Sequence, residues 1–82
     1  MYYTSEIIEE LDILALFNLD TTQQGIKVHG TAEPTTIAAT QRLFKKGLIS
    51  QSDGGYLTSL GRDAAEHAQA LLTILGAPDP NH

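Results

Sequence analysis

Leu43-Phe-Lys-Lys-Gly-Leu-Ile-Ser-Gln-Ser-Asp-Gly-Gly-Tyr-Leu-Thr-Ser-Leu-Gly-Arg62 is the stretch that decides the fold. Gly47 closes a helix, because a glycine just past the last turn adopts the left-handed conformation at no steric cost. Ile49 to Gln51 and Tyr56 to Thr58 are short strands on either side of Ser52-Asp53-Gly54-Gly55. Asp53-Gly54 predicts a type I′ turn, which requires positive φ at both central positions. Thr58 then caps a last helix from Ser59 to about Leu75, and Gly76 stops it.

Upstream of this stretch, Pro34 suits the first position of a helix running from Pro34 to Lys46. Thr4 or Ser5 caps a first helix that extends to about Asn18, with Glu6, Glu9 and Glu10 favouring its positive end. At 100° per residue, Ile7, Ile8, Leu11, Leu14 and Ala15 share one face and predict its core side. Ile13 and Leu16 fall on the opposite side. Thr21 or Thr22 is expected to cap a short helix that ends near His29 with Gly30 as a left-handed terminator. Thr31 to Glu33 connect it to the next helix. The chain of 82 residues reads as one domain over residues 1–76, followed by a mobile tail at 77–82 that carries two prolines.

Leu43-x4-Leu48-Ile49 followed by Gly55-Tyr56-Leu57-Thr58-x-Leu60-Gly61-Arg62 resembles the wing region of MarR-type bacterial regulators. The order of elements over residues 4–75 also resembles a small family of short bacterial proteins labelled as DNA-binding. The resemblance implies a mostly α winged helix-turn-helix: three helices, a two-stranded β-wing and a long C-terminal helix. It also implies a DNA-binding protein or small transcriptional regulator of the cytoplasm.

Five Lys and Arg stand against ten Asp and Glu, for a net charge of −5. The distribution is uneven. Residues 1–20 carry −5 and residues 63–82 carry −3, while residues 21–62 hold every basic residue and carry +3. That segregation places the positive charge in the segment expected to read nucleic acid. There are no cysteines, which excludes disulfides and thiolate metal sites. No apolar run approaches the ~18 residues of a membrane span, and the N-terminus lacks the pattern of a signal peptide.

With Ile37, Thr36, Thr40, Leu43 and Phe44 facing inward, Thr35, Ala38, Arg42 and Lys45 form the outward ridge of the Pro34 helix, with Lys46 beside them. Together with Lys27 and Thr36, these are the candidate nucleic-acid contacts: cations to phosphate, and Arg42 to guanine or phosphate. Lys45 and Lys46 equally suit the negative end of a helix. The wing tip, Gln51 to Gly54, has no cation, so the grip rests on the helix that precedes it. Tyr56 either packs across the hairpin or stacks on a base. His29 and His67 have no metal-ligand spacing, and no nucleophile, paired carboxylate or phosphate loop stands out. No enzyme activity, metal or cofactor is expected.

The last helix carries apolar residues over about half its circumference, more than one small domain covers. Ile13, Leu16, Ala68, Leu71, Leu72 and Leu75 are therefore expected at a homodimer interface. Two functions remain open: a dimer that binds double-stranded DNA weakly and with strong salt dependence, or a winged-helix protein–protein interaction module that leaves DNA alone.

Overall fold

The structure is a computed structural model that describes residues 3–21 and 24–76. The elements are α1 (Ser5–Leu14), β1 (Ile26–Lys27), α2 (Pro34–Lys45), β2 (Ile49–Gln51), β3 (Gly54–Leu57) and α3 (Ser59–Gly76). The domain is mostly α, with one three-stranded antiparallel sheet in the order β1-β3-β2. Among the described residues no helix is long and apolar enough to cross a membrane.

The helix boundaries follow local chemistry. Thr4 caps α1, its hydroxyl accepting from Ile7 N at 3.1 Å. The helix ends at Leu14, earlier than the expected Asn18, because Asn18 turns the chain: its Oδ1 accepts from Asp20 N at 2.9 Å. Pro34 opens α2 and Gly47, at φ 80°, follows its end. Thr58 starts α3, accepting from Gly61 N at 3.0 Å while its own hydroxyl donates to the Gly47 carbonyl at 2.6 Å.

The segment expected as a short second helix is extended instead. Ile26 pairs with Gly55 and Lys27 with Gly54, and Val28 N donates to the Asp53 carbonyl at 2.7 Å. Gly25 lets this strand lie against β3, since a side chain there would meet the Gly55 carbonyl. Gly30 is not among the glycines with positive φ, so it terminates no helix. Thr22, one of the expected caps, lies outside the described residues. The described chain thus has three helices in total and a third strand where the sequence suggested a helix-turn-helix.

The hairpin turn also differs. No described non-glycine residue has positive φ, so Asp53 does not sit in a type I′ turn. The loop residues are Ser52 and Asp53, and the strands pair at Gln51↔Gly54 and Ile49↔Leu57. Two residues of separation on β2 thus match three on β3, which makes a bulge on β3. Gly55 at φ 75° absorbs it, and the Ser50 hydroxyl accepts from Tyr56 N at 2.9 Å.

Ile13, Leu14, Phe17, Ala39, Leu43, Ile49, Ala65 and Ala68 form the core. On α1 the buried positions are Glu10, Ile13 and Leu14, and Phe17, just past the helix end, continues the i, i+3, i+4, i+7 spacing of a core stripe. Ile8 and Ala15, expected inside, are exposed. Leu14, also expected inside, is buried and Leu11 packs against the core, so the true stripe is rotated from the apolar one and shares Leu14 with it, because a carboxylate opens it. On α2, Ala39 is buried and Phe44, expected inside, is largely exposed.

Candidate functional site

The side chains expected to read nucleic acid are split among three environments. Arg42, placed by the sequence on an outward ridge, turns toward α1. Its Nε donates to Glu10 Oε2 at 3.0 Å and its Nη2 to the Glu6 carbonyl at 3.2 Å. Glu9 Oε1 lies 3.5 Å from Nη2, and Glu6 Oε2 lies 3.6 Å from Nη1. Only 25% of the Arg42 side chain remains exposed. Lys46 closes the cluster by donating from Nζ to Glu10 Oε1. The reason is the position of Glu10. A carboxylate in the core stripe is costly unless it is paired and hydrogen-bonded. Arg42 and Lys46, one helical turn apart on α2, each take one of its oxygens.

Burial alone would raise the Glu10 carboxyl above its usual 4.5. The hydrogen bonds and charges of Lys46 and Arg42 outweigh burial and hold it below that value. The Arg42 guanidinium is pushed up, chiefly by its hydrogen bond to Glu10. A carboxyl with a lowered folded pKa stabilises the fold above its unfolded pKa, and that stabilisation is lost as pH falls through the folded value. The contribution of Glu10 to stability should therefore be present above pH 4.5 and be lost as pH falls through its lowered folded value. Chemical denaturation across this range checks it, with Glu10→Gln expected to flatten the acid limb.

Thr35 and Thr36, at the start of α2, do not face open solvent alone. They share a groove with Glu9, Asp12 and Glu33, floored by Ile13 and Leu16. Three carboxylates around the end of the helix that would meet base edges oppose a phosphate backbone. Ala38 is half-buried. Lys27, on β1, and Lys45 are exposed and make no ion pair among the described contacts. Arg62 is engaged elsewhere: its guanidinium donates to the Leu19 and Thr21 carbonyls at 3.0 and 3.1 Å, pinning the chain after α1 onto α3. Tyr56 is half-exposed and leans over Gly25, so it covers a bare strand backbone.

The residues expected at a dimer interface also divide. Ile13 and Ala68 are buried within the single chain and belong to its core, a correction that follows from the rotated face of α1. Leu16, Leu71, Leu72 and Leu75 remain exposed, joined by Ile74. Gln69 marks the change: its amide donates to the Leu14 and Phe17 carbonyls at 3.1 and 2.7 Å, the last polar tie between α3 and the body of the domain. No residue of α3 beyond Ala68 is buried.

Glu6, Glu9 and Glu10 are functional partners that the sequence reading missed, although the spacing 10, 13, 14, 17 signals that Glu10 faces inward and needs a cation. His29 and His67 are exposed. Among the described residues, no three of His, Asp or Glu are grouped to hold a metal ion.

Fold and surface together define a small mostly α domain whose cations largely serve its own packing, and whose last helix leaves an apolar end uncovered. The chain belongs to DUF5669, a family of unknown function whose sequence model covers residues 1–76. No match was found among curated proteins or among solved structures.

Proposed function

We propose that this chain is a protein-interaction domain on a reduced winged-helix frame, and that it does not read nucleic acid. The frame is supported by the order of elements. α2 leads directly into a hairpin whose second strand pairs with both β1 and β2 and runs on into α3. The helix that would precede α2 in a helix-turn-helix is replaced by β1, so α2 lacks the companion that crosses the phosphate backbone.

The observation that carries the function is the engagement of Arg42 and Lys46 by Glu10. Among the described contacts it leaves Lys27 and Lys45 as the unpaired cations of the expected reading surface, with Lys46 exposed but bonded to Glu10, on a chain of net charge −5. Two phosphate contacts per copy give a log–log salt slope of only ~2, and the electrostatic term supplies essentially all non-specific DNA affinity. The uncovered apolar end of α3 is a surface suited to a protein.

A mobility-shift titration with random duplex DNA at low salt tests the reading. The expected result is no discrete complex. A shifted complex that Lys27→Ala/Lys45→Ala abolishes would establish the nucleic-acid function instead.

A further inference from the structure

The end of α3 carries the inference. Ala68-Gln-Ala-Leu-Leu-Thr-Ile-Leu-Gly76 contains no charged residue. Ala70, Leu71, Leu72, Ile74 and Leu75 spread over roughly 200° of the helix circumference at 100° per residue. Leu75 is 72% exposed and Ile74 71%. Gln69 makes the last polar tie to the body of the domain, and no residue of α3 beyond Ala68 is buried. Two turns of helix standing in water without packing are marginal even for good helix formers. A helix that is apolar over so wide an arc is a helix made to be buried.

We infer that the occupant of this surface is a second copy of the chain, related by a two-fold axis. This rests on the protein-interaction reading above and names its partner. Three observations select a second copy. The absence of charge over residues 68–76 offers a charged partner nothing to pair with. A shallow groove lined by Ala15, Gln69, Leu72 and Thr73 lies beside the uncovered end, so the knob and a place to receive one share a single patch. Such a patch is self-complementary under two-fold rotation, which is the commonest oligomer symmetry.

The third observation is size. The exposed parts of Leu71, Leu72, Ile74 and Leu75 amount to a little over two whole side chains, or on the order of a few hundred Å² of apolar surface, the size of patch that marks an association surface. The acidic side chains that would repel another copy lie on α1 and on the first turns of α3. Screening over ~8 Å weakens that repulsion at physiological salt.

Sedimentation equilibrium of the full chain, from micromolar to near-millimolar concentration, tests the assignment. The wild type is expected at twice its 8.9 kDa mass. Leu71→Glu/Leu75→Glu is expected to be monomeric with its helical circular dichroism largely retained, because both side chains lie beyond the buried part of α3. Leu75→Glu alone should weaken association at least ~30-fold, the effect of losing one interface hot spot. A wild-type mass of 8.9 kDa at every concentration, or glutamate variants that associate as the wild type does, would overturn the second copy. A monomer overturns the second copy alone, whereas a shifted DNA complex in the titration above would overturn the protein-interaction reading, so the two failures are distinguishable.

Discussion

Arg42→Ala should destabilise the fold clearly more than the loss of an exposed, unpaired cation does, because it strips a nearly buried carboxylate of one of its two partners. Glu10 is the charge left behind. Its side chain is 7% exposed, and Lys46 can satisfy only one of its two oxygens. The guanidinium also spans from the Glu10 carboxylate to the Glu6 carbonyl, so it ties two turns of α1 to α2. Arg42→Lys should recover only part of the loss, since an ammonium reproduces a point charge and not the fork. Lys45→Ala is the control. It lies on the same helix, is exposed and unpaired, and should change stability by no more than ~0.5 kcal/mol. Urea denaturation of the three variants measures the contrast. Equal losses for Arg42→Ala and Lys45→Ala would mean that the α1–α2 cluster contributes nothing beyond surface charge.

Gly61→Ala should destabilise by about 2–3 kcal/mol, although the same change in an open helix stabilises by roughly 0.5–1 kcal/mol. Gly61 lies in the first turn of α3, directly against the Leu48 carbonyl, and an added Cβ would overlap that oxygen. The neighbour is backbone and cannot swing away. It is also already in use, accepting from Thr58 N at 3.1 Å. Moving α3 off Leu48 would loosen the Thr58 cap, whose hydroxyl links Gly61 N to the Gly47 carbonyl. Overpacking and a weakened cap therefore act together, and both exceed the helix propensity that alanine gains. Thermal melting decides the sign: an unchanged or raised Tm would contradict this contact.

Much of this fold was legible in the sequence, and what was hidden has common causes. Thr4, Pro34, Gly47 and Thr58 act through their own side chains or backbone preferences, so their roles survive without tertiary knowledge. The strands of the hairpin were legible for the same reason. The turn type was not, since Asp53-Gly54 and Gly54-Gly55 offer two registers and only pairing with Ile26 and Lys27 selects between them. β1 was hidden because two residues of strand carry no periodicity. Their conformation is set by β3, some thirty positions away. Thr40 and Leu43 of α2 are inside as their spacing indicates, but Glu10 is hidden from an apolar pattern, which cannot register a core position held by a carboxylate. Once α1 turns, Ile13 enters the core and Arg42 with Lys46 leaves the reading surface.

For α3, periodicity indicated more apolar surface than one domain needs, and the structure sorts it. Ala68 is inside, while Leu71, Leu72, Ile74 and Leu75 lie beyond the last tie at Gln69. No local signal marks where a helix leaves its own domain, because that point depends on where α1 ends.

In the proposed function Arg42 and Lys46 serve Glu10 and not a phosphate backbone. NMR of the Glu10 side-chain carboxyl and the Arg42 Nε–H, in free protein and with excess duplex DNA, tests it most directly. The predicted result is a Glu10 titration midpoint below 4.5, with neither signal moving at neutral pH when DNA is added. A midpoint at or above 4.5, or Arg42 and Glu10 signals that shift together on DNA addition, would contradict it.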